Sequence, residues 1–194
     1  MIQYSVVSSE HMKTAFIVAL PDEVHHAEEL KNIPVFYSGV GKLNAAMKAM
    51  ELIQQGHTEL INIGSCGSVQ HKLGEIIRIG KVYQDIDGRP LCEYGHTPFE
   101  ENSECIVIDS VSEFSCFTTD YFYDHKQDAK YSAEYHHRIR NTSVFDMELY
   151  GIAKVCQRNN VKLRAFKWVS DDGNFDHWIE NCRISSEKVL SLID

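Results

Sequence analysis

The chain has 194 residues, of which 43% are apolar, and a formal net charge of -9 at pH 7. This length suits one domain over residues 1–194, with a core that needs no disulfide support. The negative charge repels a phosphate backbone, and no Lys/Arg run offsets it, so nucleic acid is not an expected partner. The longest apolar runs, such as residues 15–20, are too short to cross a bilayer, so no membrane association is expected.

The cysteines indicate a reducing compartment. None of the six is part of a C-x-x-C pair, and several stand in apolar runs, where a free thiol packs as a small hydrophobic group. No secretory signal pattern accompanies them. We therefore expect a cytoplasmic location.

Short apolar runs alternate with helical patterns along the chain, which predicts an α/β fold. The predicted strands are residues 14–20, 34–38, 59–63, 76–83 (interrupted at Gly80), 105–108, 114–118 and 161–169. The predicted helices are residues 43–53, part of 124–141, a buried helix over 147–156 and a terminal helix over 176–193. The first twelve residues fit either an edge strand or a loose arm, and residues 85–102 are rich in turns.

Carboxylates follow the strands or begin a buried helix. Asp171 stands in a Ser-Asp-Asp-Gly loop after strand 161–169, Asp22 and Glu23 follow strand 14–20, and Glu148 begins the helix over 147–156. Open α/β sheets bind ligands at the carboxyl ends of their strands. Each acid also has a structural interpretation. Asp171 could cap a helix or turn, and the two glutamates could be first-turn acids favoured by the helix dipole.

Two glycine motifs are informative to different degrees. Gly39-Val40-Gly41 opens a helix after a strand, but Asn44 replaces the third glycine of a dinucleotide fingerprint, and no Walker A motif follows. The sequence Gly64-Ser65-Cys66-Gly67 fits either a ligand-binding loop or a tight turn that needs positive φ.

The histidine pairs do not predict a metal site. His25-His26 and His136-His137 are adjacent in sequence, so the side chains of each pair diverge on a helix or a strand. No metal and no organic cofactor is expected.

Four motifs in order resemble one family. GVGKLNAA, INIGSCGSV, FDMELYGIAKVC and VSDDGN span residues 39 to 174, and together they resemble the nucleoside phosphorylase and nucleosidase superfamily. Within it the chain looks most like the 5′-methylthioadenosine/S-adenosylhomocysteine nucleosidases. The resemblance implies a single-domain, three-layer α/β/α fold with a mixed, partly barrel-like central sheet. It also implies a homodimer or a larger homo-oligomer.

The resemblance assigns the base and sugar contacts. Asp171 matches the acid that protonates the purine at N7 as the glycosidic bond lengthens, and it would need a raised pKa. Glu148 matches the carboxylate that holds the ribose hydroxyls, beside Met147. The remaining matched positions on this side of the site are Ser65, Cys66, Gly67 and Ser170.

The resemblance also suggests a source for the attacking water. Glu23 matches the carboxylate that activates water in the nucleosidases, and Asp22 is the alternative. Phe122 falls where the family has an aromatic side chain that stacks on the base, and backbone groups of Tyr123 would read the purine edge.

Water is favoured over phosphate as the nucleophile. Similar purine phosphorylases carry an arginine two residues before the Gly-Ser-Cys-Gly sequence, where this chain has Asn62, which cannot replace a bidentate phosphate clamp. Lys167 takes a position that is basic in the nucleosidases, and we expect Glu148 to be its carboxylate partner. The resemblance thus implies hydrolysis of a purine nucleoside. A phosphorylase and a catalytically impaired nucleoside-binding relative are the alternatives.

The chain is shorter than the family pattern in three places. Residues 24–36, residues 82–114 and the tail after Asn174 all look abbreviated. Because these parts normally help to cover the base and the 5′ substituent, a more open pocket or a different nucleoside is expected.

Overall fold

The structure is a computed structural model that describes residues 13–24, 29–101 and 104–193. The first twelve residues and the His25-His26 pair lie outside the described residues. The described residues form ten strands, which are β1 Thr14–Val18, β2 Glu29–Leu30, β3 Ile33–Tyr37, β4 Glu59–Gly67, β5 Ile76–Arg78, β6 Lys81–Gln84, β7 Ile106–Val107, β8 Ser115–Thr118, β9 Val144–Asp146 and β10 Lys162–Asp171.

The α-helices of the described ranges are α1 Lys42–Gln54, α2 Ala133–Asn141, α3 Leu149–Asn159, α4 Phe175–Asn181 and α5 Ser186–Val189. Short 3-10 helices span Pro21–Glu23, His125–Lys130 and Leu190–Leu192. None of the described helices is long and apolar enough to cross a membrane.

The ten strands form one mixed sheet that branches at β4. The order is β2-β3-β1-β4-β9-β8-β6-β7, and β10 pairs with both β4 and β5. β1 runs parallel to β4 along its first residues, and β10 runs parallel to β4 along its whole length. β9 meets β4 only at its far end, where Gly67 pairs with Phe145. The space beyond the end of β1 is therefore enclosed by β4, β9 and β10.

Two apolar cores cover the faces of this sheet. One contains Ala45, Ala49 and Leu52 of α1 together with Leu149 and Ile152 of α3. The other is closed by side chains from the C-terminal segment, among them Val189 and Ile193. Since helical segments lie on both faces of the sheet, the predicted three-layer α/β/α arrangement is confirmed.

Two predicted elements are divided by tertiary hydrogen bonds. The strand expected over 76–83 becomes β5 and β6, because the amide of Gly80 donates to the Phe114 carbonyl at 2.8 Å and the pairing moves from β10 to β8. The terminal helix expected over 176–193 breaks at residues 182–185. There the carbonyl of Cys182 accepts the indole N–H of Trp168 at 2.7 Å, which ties this turn to the sheet.

Candidate active site

A cavity of about 310 Å³ lies where β1, β4, β9 and β10 end. Nine of the residues expected at the site line it: Glu23, Ser65, Cys66, Gly67, Phe122, Tyr123, Met147, Glu148 and Asp171. Asp22, Lys167 and Ser170 are not among the lining residues. The lining residues that the sequence did not predict are Ala19, Leu20, Val40, Thr119, Tyr121, Phe145, Asp146, Phe175 and Trp178. This volume is in the range of sites for small ligands.

Asp171 ends β10 at a register shift in the pairing with β4. Its side chain is buried, with Oδ1 accepting the Gly173 amide at 2.9 Å and Oδ2 lying 2.8 Å from the Ser170 hydroxyl. Burial raises the pKa of this carboxyl, as expected, although the two hydrogen bonds act in the opposite direction. The helix-cap interpretation is wrong, because Asn174 caps α4 by accepting the Asp176 amide.

Ser170 can support a protonated Asp171. The Ser170 hydroxyl also lies 3.1 Å from the Cys66 carbonyl, and a hydroxyl has one proton for two acceptors. If Asp171 carries a proton, that proton can be donated to Ser170 Oγ while Ser170 donates to the carbonyl. Both groups are then satisfied, so Ser170 supports the site without lining the cavity.

Glu23 is fixed at the opposite side of β4, in the 3-10 turn after β1. It is only 4% exposed, and its Oε1 accepts both the amide of Ser65 at 2.8 Å and the Ser65 hydroxyl at 2.6 Å. Oε2 accepts the Leu20 amide at 3.1 Å. Asp22 instead points toward Arg183 at 3.7 Å with a side chain that is 63% exposed. Glu23, and not Asp22, is the acid that faces the cavity.

The Gly-Ser-Cys-Gly sequence is the end of strand β4, so the alternative of a tight turn with positive φ is wrong. Ser65, Cys66 and Gly67 line the cavity from the end of a strand and not from a loop. Close approach requires glycine at Gly67 and leaves little room at Gly64. A Cβ on Gly67 would lie 2.0 Å from Cε2 of Phe145, and one on Gly64 would lie 3.2 Å from Oε1 of Glu23. The thiol of Cys66 donates to the Trp168 carbonyl at 3.3 Å. The two glycines therefore let the end of β4 pass close to the side chains of Phe145 and Glu23.

Glu148 is the N-cap residue of α3, but its side chain makes no capping hydrogen bond. Its Oε1 accepts the amide of Gly41 at 2.9 Å, and the residue is only 7% exposed. Burial, reinforced by the neighbouring charge of Asp146, raises the pKa of Glu148 to about 7. Glu148 stands at the N-terminus of α3, as the helix-dipole interpretation expects, but its burial does not fit a surface acid. Its carboxylate, with the Gly41 amide as its one described donor, faces the cavity.

The carboxylate partner of Lys167 is Asp146, which corrects the expectation of Glu148. The Nζ of Lys167 lies 2.8 Å from Oδ2 of Asp146, and both side chains are almost fully buried. Burial acts to lower the pKa of Lys167, but the charges of Asp146 and Glu148 outweigh it and raise that pKa. The sequence contained a sign that Asp146 is a buried acid, since it stands two residues before Glu148 in an otherwise apolar run.

An aromatic wall closes another side of the cavity. Phe122 meets Phe175 edge-on at 5.4 Å, and Phe175 stacks on Trp178 at 5.7 Å. The indole Nε1 of Trp178 donates to Ser65 Oγ at 3.1 Å. Ile179, in the same short helix, is 56% exposed.

Within the three described ranges, no group of three or more His, Cys, Asp or Glu side chains is placed to hold a metal ion. His136 Nε2 contacts the Asp128 carbonyl at 3.0 Å, and His137 Nδ1 lies 3.3 Å from the Asn141 amide. These two rings have local partners on or beside α2.

Comparisons with known proteins agree with this architecture. The sequence profile of the Phosphorylase superfamily matches residues 23–112. The chain is 26% identical over 179 residues to the 5′-methylthioadenosine/S-adenosylhomocysteine nucleosidase of Bacillus cytotoxicus, and the match covers 79% of this chain and 76% of that protein.

Solved structures show the same fold. The 5′-methylthioadenosine/S-adenosylhomocysteine nucleosidase of Helicobacter pylori superposes with a TM-score of 0.79 at 18% identity, covering 94% of this chain and 96% of that one. The futalosine hydrolase of Helicobacter pylori gives a TM-score of 0.78 at 17% identity, with 94% and 95% covered. The nucleosidase of S. pneumoniae with a transition-state inhibitor superposes with a TM-score of 0.74 at 21% identity, covering 93% of this chain and 97% of that one. The predicted fold class is confirmed.

Proposed function

We propose that this protein is an N-ribosyl hydrolase that acts on a purine nucleoside. The chain resembles the nucleoside phosphorylase and nucleosidase superfamily in sequence and in fold. Its substrate would resemble 5′-methylthioadenosine, S-adenosylhomocysteine or adenosine. One observation carries this proposal. A buried carboxyl with a raised pKa, Asp171, and a carboxylate held by three donors, Glu23, line the same cavity.

The two carboxyl groups would divide the proton transfers. As the bond between C1′ and N9 breaks, Asp171 gives its proton to N7, so the base leaves as a neutral molecule. Glu23 takes a proton from the water whose oxygen bonds to C1′. Asp171, whose pKa is raised by burial, suits the role of the acid, and Glu23, which is oriented by three hydrogen-bond donors, suits the role of the base.

Glu148 would hold the sugar between them. An ionised Glu148 can accept hydrogen bonds from the two ribose hydroxyls, and its negative charge favours the positive charge that develops at C1′. The raised pKa of Glu148 supports this assignment, because a buried carboxylate with only one described hydrogen-bond donor gains from added donors.

The cavity supports water over phosphate. Its lining residues include four acids, Glu23, Asp146, Glu148 and Asp171, and neither Lys nor Arg is among them. Asn62, at the position of the phosphorylase arginine, is 2% exposed and donates to the Ile17 carbonyl at 2.9 Å, away from the cavity. An anion would thus meet repulsion without a clamp.

The assembly and setting of the enzyme are part of the same proposal. Two apolar side chains of α1 support a homodimer or larger homo-oligomer, since Leu43 is 73% exposed and Met47 is 65% exposed. We place the enzyme in the cytoplasm, in nucleoside turnover of the methionine-salvage type. Light scattering after size exclusion tests the oligomeric state.

Base release tests the reaction. The protein is incubated with 5′-methylthioadenosine, S-adenosylhomocysteine, adenosine, inosine and futalosine, with and without phosphate, and free base is measured. Release without phosphate is expected. Strict dependence on phosphate would make the protein a phosphorylase, and thermal stabilisation by nucleosides without any base release would make it a binding protein.

A further inference from the structure

Asp146 collects four hydrogen-bond donors in the interior. Its Oδ1 accepts the hydroxyl of Thr118 at 2.7 Å and the thiol of Cys116 at 3.3 Å. Its Oδ2 accepts the amide of Leu149 at 3.0 Å and the ammonium of Lys167 at 2.8 Å. Both oxygens of Asp146 are therefore held by donors, whereas Glu148, two residues later in the chain, has one described donor, the Gly41 amide.

Lys167 has two carboxylates within electrostatic reach and pairs with one. Lys167 lies 2.8 Å from Asp146, and Asp146 and Glu148 line the same cavity. In keeping with this, the charges of both carboxylates raise the pKa of Lys167, and Lys167 in turn acts to lower the pKa of Glu148. A buried ammonium without a carboxylate partner is very unfavourable. If Asp146 lost its charge, Glu148 would be the remaining carboxylate for Lys167.

We propose that Asp146 is a positioning residue that holds the Lys167 ammonium away from Glu148 and so keeps the Glu148 carboxylate open to the sugar hydroxyls of the substrate. The proposal rests on the proposed function for the identity of the ligand. The structural part of the proposal, that Lys167 pairs with Asp146 and not with Glu148, does not depend on the identity of the ligand.

A purely structural role for Asp146 predicts something different. Asp146 also accepts the amide of Leu149, the first residue of α3, so its removal could act by loosening the start of the helix. Asp146→Asn separates the roles, because the amide oxygen still accepts hydrogen bonds while the negative charge is lost. A cap defect would lower stability, and it would not be relieved by removing Lys167.

The first readout is kinetic, with 5′-methylthioadenosine as the probe. Asp146→Asn is expected to raise KM about 10- to 100-fold, the effect of losing hydrogen bonds to a charged group, with a smaller change in kcat. In Asp146→Asn/Lys167→Met, a neutral pair of similar size, KM should return to within about threefold of the wild-type value. Glu100→Gln, which breaks the 2.6 Å surface pair with Lys154, is the matched control and should leave KM unchanged.

The second readout is a crystal structure of Asp146→Asn and does not need turnover. A Lys167 ammonium within hydrogen-bonding distance of Glu148 is expected. A lysine that stays beside the substituted side chain, with Glu148 still on the Gly41 amide, would overturn the proposal, as would a double variant whose KM is no better than that of the single variant. If Asp146→Asn does not fold, the double variant alone decides. A KM of the double variant within threefold of the wild-type KM supports the proposal, and a KM raised tenfold or more overturns it. Absence of base release by the wild-type protein would reject the proposed function alone, since the position of Lys167 is still observed.

Discussion

The Ser65 hydroxyl oxygen lies 2.6 Å from Oε1 of Glu23. Trp178 donates its indole N–H to the same hydroxyl at 3.1 Å, so the single proton of Ser65 is directed to the carboxylate. The Ser65 amide adds a second donor at 2.8 Å. Glu23 is thus held in one orientation by the strand that forms the floor of the cavity, which a water-activating base requires.

Removal of the Ser65 hydroxyl should weaken that orientation. We expect Ser65→Ala to lower kcat for base release from 5′-methylthioadenosine about tenfold, because the backbone amide still holds Glu23 after one charge-assisted hydrogen bond is lost. Ser191→Ala is the control, since that exposed hydroxyl contacts only the Lys188 carbonyl among its described partners. Equal rates for the two variants would show that the Ser65 hydroxyl does not orient Glu23.

Trp178 should report ligand binding. The chain has two tryptophans, and Trp168 is fully buried whereas Trp178 lines the cavity. A purine that stacks near Phe122 and Phe175 is expected to quench Trp178 emission. Titration with adenine should show a saturable change in the wild-type protein and little change in Trp178→Phe. An equal signal from Trp178→Phe would place the purine elsewhere.

The pH dependence of KM should follow Glu148. Its pKa is raised to about 7 by burial and by Asp146, with Lys167 opposing and Glu23 adding to the shift. The sugar hydroxyls bind the ionised form, so KM should rise as the pH falls below about 7, about tenfold per pH unit at the limit. Glu148→Gln should have a raised KM without this dependence. A flat KM profile for the wild-type protein from pH 8 to pH 5 would contradict the role of Glu148.

The same group makes a contribution to folding stability with a defined sign. Because the folded-state pKa of Glu148 is raised from 4.5 to about 7, the native state binds the extra proton between these values. The contribution of Glu148 to the free energy of unfolding is therefore fully present below pH 4.5 and is lost as the pH rises through 7. Thermal melts of the wild-type protein and Glu148→Gln should show a difference in Tm that changes across this interval.

Gly67→Ala should destabilise the sheet at the cavity floor. The added methyl group would lie 2.0 Å from Cε2 of Phe145, so the ring or the strand must move. We expect a loss of about 1 to 3 kcal/mol, which lowers Tm by several degrees. Gly67→Ala/Phe145→Leu should recover part of the loss. If the double variant melts no higher than Gly67→Ala, contact with Phe145 is not the cause.

The sequence predicts the elements that depend on local pattern better than those that depend on tertiary contacts. The runs behind β1 and β3 are almost entirely apolar, and those behind β4 and β10 are apolar at most positions, so the local pattern gives these strands directly. The short strands β2 and β9 have no such run, and β9 exists because it pairs with β4 and β8. Tertiary hydrogen bonds also divided the expected terminal helix.

The candidate site follows the same rule. The motifs that the chain shares with the family it resembles predicted that Glu23, Glu148 and Asp171 lie at one site, and all three line the same cavity. The catalytic roles of these three residues stay predictions. The choice of Lys167 between two buried carboxylates could not be read from spacing, because it depends on which carboxylate already has other donors. Likewise, position 67 needs a glycine because the ring of Phe145, distant in sequence, packs against it, and not because the local backbone has a positive φ.

Comparison of Asp171→Asn with the wild-type protein in phosphate-free buffer tests the assignment of the general acid. Adenine release from 5′-methylthioadenosine and thermal stabilisation by the same nucleoside are measured on both proteins. We expect the variant to keep the stabilisation and to lose about 10²- to 10⁴-fold in rate, as is typical of a missing general acid. An Asp171→Asn variant that releases adenine at the wild-type rate would contradict the proposed reaction.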